Sequence, residues 1–346
     1  MKKIVLTGGG TAGHVYPALA LVDYLKDFEI HYIGSSGIEK EILKNYKNIS
    51  FHEIPTVKLV RKLTFKNLLI PFKLFNSIKK AKKILREINP DIIFSKGGFV
   101  SVPVVFAAKS LKIKVVSHES DLSMGLANKL ILKKCDVMCT TFLQTSKLSP
   151  KCIWTGQPIR KSLLQGNPST IKSQFSFKKP ILLVIGGSLG AKFLNDAVRN
   201  NLDKLTNEFN IIHLTGKDNK SHINNESLVE LEYANNMGDI YSACDIVLSR
   251  AGSGVINELL AIRKPMLLIP LSKRCSRGDQ IENALLFQKL GYAKVIQEEE
   301  YTPEKLINNL KNLMELKEKY KNNMKKSNAN QATESIVKII NDNIKP

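Results

Sequence analysis

Two Rossmann-like, doubly wound parallel-sheet domains of the α/β class, facing one another across a cleft, are what this sequence predicts. Three observations carry the prediction. Residues 4–13 read IVLTGGGTAG, residues 181–190 read ILLVIGGSLG, and each segment runs on into an amphipathic helical pattern. A short continuous apolar run is what a strand buried on both faces requires. The glycines let the backbone turn tightly and approach a ligand, and the helix N-terminus behind them offers N–H groups and partial positive charge to a phosphate. The third observation is length: 346 residues are long for one domain and comfortable for two, each with its own core.

The elements follow in order. A helix over residues 15–26 leads to a strand over 29–33 that ends in Gly34, Ser35, Ser36 and Gly37. A dinucleotide-binding unit would place an Asp or Glu near that strand end for the ribose hydroxyls. Gly8, Gly10 and Gly13 match the glycine fingerprint, but the acid is missing, which weighs against an NAD-dependent dehydrogenase. Further strands are expected over residues 92–95, 115–118, 137–140 and 153–154. Lys96, Gly97, Gly98 and Phe99 follow one strand end, and His118, Glu119, Ser120 and Asp121 form another. In a doubly wound sheet these C-terminal strand ends are where ligands bind. A linker is placed near residues 156–180, and the second half repeats the rhythm with strands over 181–185, 210–214, 228–232, 246–248 and 266–269. Two helical segments, 303–325 and 331–344, close the chain around a polar stretch at 326–330. The domains are accordingly residues 1–158 and 159–330, with the last helix, about 331–346, returning to the first.

Composition narrows the class. Hydrophobic residues at 43% and charged residues at 24% describe a globular chain, and no apolar run approaches the roughly 20 residues of a spanning helix. The opening MKKIVL reads as a strand rather than a secretion signal, because the apolar run ends at Thr7; a cytosolic protein is expected. The five cysteines (Cys135, Cys139, Cys152, Cys244, Cys275) form no C-x-x-C pair and read as buried or incidental thiols. No metal-binding spacing is present, so no essential metal and no tightly bound cofactor are expected. A net charge of +21 calls for a polyanionic partner or surface. With one Trp and no recognition motif, nucleic acid is the weaker candidate.

Taken together, several blocks resemble one family. GGGTAGH at residues 8–14 with Pro17, KGGFVS at 96–101, His118 with Glu119, GQPIR at 156–160, GGSLGA at 186–191, and SRAGS at 249–253 through Glu258 are similar to the signature blocks of the MurG glycosyltransferases. They stand in order over nearly the whole chain. The resemblance implies the GT-B fold and an inverting transfer of N-acetylglucosamine from UDP-GlcNAc to the 4-hydroxyl of undecaprenyl-pyrophosphoryl-MurNAc-pentapeptide, a step of peptidoglycan synthesis at the cytoplasmic face of the membrane. The donor belongs on the second domain and the lipid-linked acceptor on the first. The neighbouring readings are other GT-B proteins, a diacylglycerol glycosyltransferase or a UDP-GlcNAc epimerase.

The resemblance also assigns residues. Arg160 and Ser188 fall to the donor diphosphate, Glu258 to the ribose with Ser253 and Gly254 beside it, Ala234 and Met237 to the nucleobase, and Gln280 with Asn283 to the donor sugar. A carboxylate accepts from both ribose hydroxyls because its oxygens are acceptors only; the alternative for Glu258 is a first-turn acid favoured by the helix dipole. Gly9, Gly10, Gly97 and Gly98 fall to the acceptor pyrophosphate, while Thr11, Ala12 and Gly13 serve either that group or the donor sugar. A base must take the acceptor hydroxyl's proton, and histidine titrates near neutrality. His14 is that candidate, with helix capping or phosphate binding as its alternatives; Glu119 is the second, as base or as a group orienting the acceptor. Asn128 retains a family position. Asp121 stands where some members carry an amide, and when ionised it accepts hydrogen bonds without donating any.

Residues 54–86 contain no acid and ten bases, among them Lys66 and Lys73, interleaved with Phe65, Leu68, Leu69, Phe72 and Phe75. Apolar side chains in the headgroup layer with lysines against anionic lipid make a reversible surface anchor. The alternative is a core helix with a solvated basic face, which Pro71 would interrupt or kink.

Overall fold

The computed structural model describes residues 1–56, 70–187, 190–234, 236–327 and 329–344. The chain divides into two compact units, Met1–Arg160 with Gln331–Pro346, and Lys161–Asn330.

The first unit is a seven-stranded, wholly parallel sheet: β1 (Lys2–Thr7), β2 (Phe28–Gly34), β3 (Ile49–Glu53), β4 (Ile92–Ser95), β5 (Lys114–Glu119), β6 (Val137–Thr140) and β7 (Cys152–Trp154). Its helices are α1 (Ala12–Leu19), α2 (Ile38–Leu43), α3 (Ile70–Ile88), α4 (Ser101–Ser110), α5 (Leu126–Leu132) and α6 (Leu143–Ser146). The strand order β3-β2-β1-β4-β5-β6-β7 reverses between β1 and β4. The period-two alternation of a strand separates two cores. Val5, Ile93, Val115 and Met138 pack with Ala81 and Leu85 of α3 and Val104 of α4, whereas Ile4, Leu6, Phe94 and Val116 pack with Val15 and Ala18 of α1.

The second unit carries α7 (Ser169–Lys172), β8 (Ile181–Ile185), α8 (Lys192–Arg199), α9 (Leu202–Glu208), β9 (Asn210–Leu214), β10 (Leu228–Leu231), α10 (Met237–Ala243), β11 (Ile246–Ser249), α11 (Ser253–Ala261), β12 (Met266–Leu268), α12 (Asp279–Lys289), β13 (Ala293–Val295), α13 (Pro303–Glu315) and α14 (Lys317–Met324). Its parallel sheet has the order β10-β9-β8-β11-β12-β13 and reverses between β8 and β11, repeating the first unit's plan. The chain ends in α15 (Ala332–Asp342), whose Ile336 and Ile340, one turn apart, lie in the core of the first unit beside Ile4 and Val15. Thr333 fixes the helix there, accepting from the Ile159 amide at 3.0 Å and donating to the Ile159 carbonyl at 3.2 Å.

Several elements differ from the sequence expectation. The first helix starts at Ala12 and ends at Leu19, where i→i+3 bonding takes over through a 3-10 turn at Val22–Tyr24. The edge strands β3 and β13 were not expected: one is only half apolar and the other three residues long, so neither shows the run that marks a strand buried on both faces. The stretch 156–180 is no bare linker, since Gly166 lies against the Gly238 carbonyl of α10, where an added Cβ would stand 1.9 Å from the oxygen. The segment 303–325 is divided at Leu316 into α13 and α14. Pro71 is the second described residue of α3, and the helix runs on from it without a break to Ile88.

Candidate functional site

In an open parallel sheet the connections on either side of the strand-order reversal leave in opposite directions, opening a crevice at the C-terminal strand ends. In the first unit β1 and β4 flank that point, so Gly8–Gly10 and Lys96–Gly98 stand side by side. The fit is close: a Cβ on Gly98, at φ +81°, would lie 2.5 Å from the Gly9 carbonyl oxygen, and one on Gly97, at φ +86°, would lie 2.5 Å from Oδ1 of Asn128. Thr11 is the N-cap residue of α1, and its hydroxyl lies 2.9 Å from Nδ1 of His14, which is half-buried one turn into the helix. Ala12 is buried and Gly13 exposed.

Glu119 ends β5 almost fully buried, and its carboxylate organises the following loop. Oε1 accepts from the Asp121 amide at 3.0 Å; Oε2 accepts from the Gly125 amide at 3.0 Å and from Nδ2 of Asn128 at 3.0 Å. His118 is completely buried with Nε2 2.9 Å from the Gly156 carbonyl, and burial holds its pKa well below the usual histidine range, so the ring is neutral. Arg160 lies at the end of the first unit rather than in the second, its guanidinium 4.4 Å from the centre of the Tyr16 ring of α1.

One residue here was not read from the sequence, and a second was read only as part of a glycine block. Glu39 of α2, completely buried, accepts the Gly10 amide at 2.8 Å through Oε1 and the Ser35 hydroxyl at 3.0 Å through Oε2. The second is Lys96, also buried, whose ammonium donates to Ser120. For neither is burial legible in the sequence, because a polar side chain turned inward looks like any solvated one.

In the second unit the reversal point lies between Gly186–Gly190 after β8 and Arg250–Gly252 after β11. A cavity of about 480 Å³ lies there, lined by both loops, the start of α8 (Lys192, Phe193), Leu271, Gln280 and Glu298. Arg250 is buried and donates to the carbonyls of Ile269 and Pro270 at 3.1 and 3.2 Å and to Oε2 of Glu298 at 3.0 Å, with Phe193 against its guanidinium. Glu298 also accepts the Ser272 amide at 3.2 Å, so the pair ties down the loop between β12 and α12, ahead of Gln280. Gln280 itself accepts from the Leu271 amide at 3.1 Å. Arg250→Ala strands Glu298 without its cation, and a loss of roughly 2–4 kcal/mol from this unit is expected by calorimetry.

Among the other predicted residues, Glu258 lies in the second turn of α11, too far along for the first-turn dipole account, and accepts from the Tyr241 hydroxyl at 2.9 Å. Ser253 is buried, with Asn257 bonded to its hydroxyl, and Gly254 is half-buried. Met237 opens α10 and Ala234 precedes it, both half-buried. Asn283 is completely buried in α12 and does not line the cavity. On α3, Phe72 is 72% and Phe75 67% exposed, with Lys73 exposed between them. Ser188, Phe65, Lys66, Leu68 and Leu69 lie outside the described residues. Four of the five cysteines are buried and Cys275 is exposed. Among the described residues no three acidic, histidine or cysteine side chains are grouped as metal ligands, and no helix is long and apolar enough to cross a membrane.

Known proteins share this plan. The profile of the glycosyltransferase family 28 N-terminal domain matches residues 4–140, and that of the family 28 C-terminal domain matches residues 181–339. A protein of Clostridium botulinum (strain Hall) named UDP-N-acetylglucosamine--N-acetylmuramyl-(pentapeptide) pyrophosphoryl-undecaprenol N-acetylglucosamine transferase is 49% identical, covering 98% of this chain and 99% of its own. The protein of that name from Clostridium kluyveri is also 49% identical over the same shares. The crystal structure of Acinetobacter baumannii MurG superposes with a TM-score of 0.75 at 26% identity, covering 99% of this chain and 100% of that one, so the fold is GT-B. Full-length identity and both domain profiles agree: the chain belongs to the MurG family of N-acetylglucosaminyltransferases, within glycosyltransferase family 28.

Proposed function

We infer that the chain transfers N-acetylglucosamine from UDP-N-acetylglucosamine to undecaprenyl-pyrophosphoryl-N-acetylmuramyl-pentapeptide, converting lipid I to lipid II in peptidoglycan synthesis. The observation that carries this reading is identity of 49% over 98% of the chain to proteins named for that activity. The test is UDP release that depends on the lipid-linked muramyl acceptor. Donor turnover without the acceptor would favour an epimerase instead.

In the mechanism we propose, the acceptor's 4-hydroxyl attacks the anomeric carbon while the bond to the UDP oxygen breaks, inverting that centre. His14 takes the hydroxyl proton, and Thr11 beside its Nδ1 orients the ring. The negative charge developing on the diphosphate meets preorganised dipoles, which stabilise a transition state more than mobile solvent does. Those assigned here in the second unit are the backbone at Gly186 and Gly190 and the start of α8, a stabilisation that calls for no metal. Glu258, oriented by Tyr241, holds the ribose, with Ser253 and Gly254 beside it; Ala234 and Met237 border the uracil, and Gln280, which lines the cavity, serves the sugar. The acceptor pyrophosphate falls to Gly97 and Gly98 with Gly9 alongside; the Gly10 amide is already bonded to Glu39. Glu119 is better suited to orienting than to proton transfer, because both of its oxygens accept hydrogen bonds from the loop that follows.

The acceptor's lipid requires a membrane surface, and we assign contact to α3. Its Leu74 and Ile78 face the core while Phe72 and Phe75 point outward among Lys73, Lys79 and Lys80. Two inserted phenylalanines are worth a few kcal/mol, so replacing both by Ser should weaken binding to anionic vesicles at least about tenfold in sedimentation. Unchanged binding by that variant at low salt would remove α3 from the contact.

A further inference from the structure

We propose that Lys96 is a positioning residue for the acceptor: its ammonium joins the end of β4 to the loop after β5 and so holds the glycine turns of the first unit and Glu119 in the arrangement that receives the lipid-linked sugar. The proposal rests on the reading of this unit as the acceptor side.

Lys96 is 1% exposed and sits at the junction of the first unit's strand ends. Its amide donates to the Thr7 carbonyl at 2.7 Å, and its Cβ would be 2.9 Å from a Cβ on Gly8, so the stem is wedged against the turn that leads to His14. Its ammonium donates to the Ser120 hydroxyl. Ser120 donates to Oε1 of Gln157 at 3.2 Å, and Thr141 donates to the same oxygen at 3.0 Å. One chain of hydrogen bonds therefore laces the ends of β4, β5, β6 and β7. On the same strand ends and the start of α5, three buried polar atoms, Nε2 of Gln157, Nδ1 of His118 and Oδ1 of Asn128, have no hydrogen-bond partner among the described residues.

Stability alone does not account for a lysine at this place. Moving an ammonium out of water costs several kcal/mol, and an apolar side chain of similar length fills the space without that cost. The groups facing the ammonium are the carboxylates of Glu119 and Asp121, the Cys139 thiol of β6 and the neutral His118 ring. Burial lowers the Lys96 pKa to about 8 against the opposing pull of those carboxylates. The charged form that bonds Ser120 is thus present below about pH 8 and lost above it.

The test compares Lys96→Met, Lys96→Arg and Ser120→Ala in the full chain, varying each substrate across the neutral to alkaline range. Lys96→Met should raise the acceptor KM roughly tenfold and flatten the alkaline limb of kcat/KM, leaving UDP-N-acetylglucosamine affinity and Tm no lower than in the parent. Lys96→Arg, which stays charged, should keep the acceptor KM within about threefold and move the alkaline limb upward. Parental acceptor KM and pH profile in Lys96→Met would overturn the proposal. If that variant does not fold, Ser120→Ala removes the ammonium's partner without changing charge; it should raise the acceptor KM several-fold, and a parental value overturns the proposal equally. A parent chain that does not turn over the acceptor overturns the functional reading as well, and is told apart by being seen before any variant is made.

Discussion

Gly190→Ala is expected to abolish donor binding at ordinary concentrations, a loss of at least about 100-fold in UDP-N-acetylglucosamine affinity. The residue stands at φ +75°, and an added Cβ would lie 2.0 Å from the carbonyl oxygen of Thr215 at the end of β9. That oxygen cannot step aside, because it accepts Nδ2 of Asn195 at 3.0 Å, and Asn195 is in turn 3.0 Å from the buried His213 ring. Left-handed strain of roughly 1–2 kcal/mol therefore adds to a backbone overlap that only movement of the whole Gly186–Gly190 turn relieves. Gly187→Ala is the control: its φ is +91° but nothing lies within 4 Å of the added atom, so strain alone remains. Isothermal titration with UDP-N-acetylglucosamine distinguishes the two, and parental affinity in Gly190→Ala would show that this turn does not hold the donor.

His14→Ala should lower kcat by about 10²–10⁴-fold while leaving donor affinity close to the parent's, as expected when a general base is removed and the binding surface kept. Glu119 supplies the contrast. Its carboxylate accepts from the amides of Asp121 and Gly125 and from Asn128, so Glu119→Gln turns an N–H toward donors that need an acceptor. That change should cost roughly 1–3 kcal/mol of local order and appear mainly as a higher acceptor KM. If Glu119→Gln instead removes kcat at constant KM and His14→Ala does not, the two roles are reversed.

Much of this was legible in the sequence, for an identifiable reason. The strands β1, β4, β6 and β8 are buried on both faces over an unbroken apolar run, and the glycines at Gly98 and Gly190 are required by positive φ and close backbone approach. Edge strands lack that signal, as does a polar side chain folded inward. Glu39, Lys96, Arg250 and Glu298 organise the loops at the strand ends, yet the burial and partner of each are not legible in the sequence, even for Lys96 and Arg250 within their signature blocks. Their partners lie far along the chain: Gly10 is 29 residues from Glu39, and Glu298 is 48 from Arg250. Arg160, which the sequence puts at the junction of the two domains, stacks on Tyr16 of the first unit.

The buried Glu39 beside the first glycine turn has a consequence for small-molecule selectivity. In a coenzyme-binding fold of this kind the turn's amides meet a phosphate; here the Gly10 amide is taken by an internal carboxylate at 2.8 Å and is not available to a ligand. The turn thus keeps its G-x-G-x-x-G appearance with one fewer amide to offer a dinucleotide's pyrophosphate than that pattern promises.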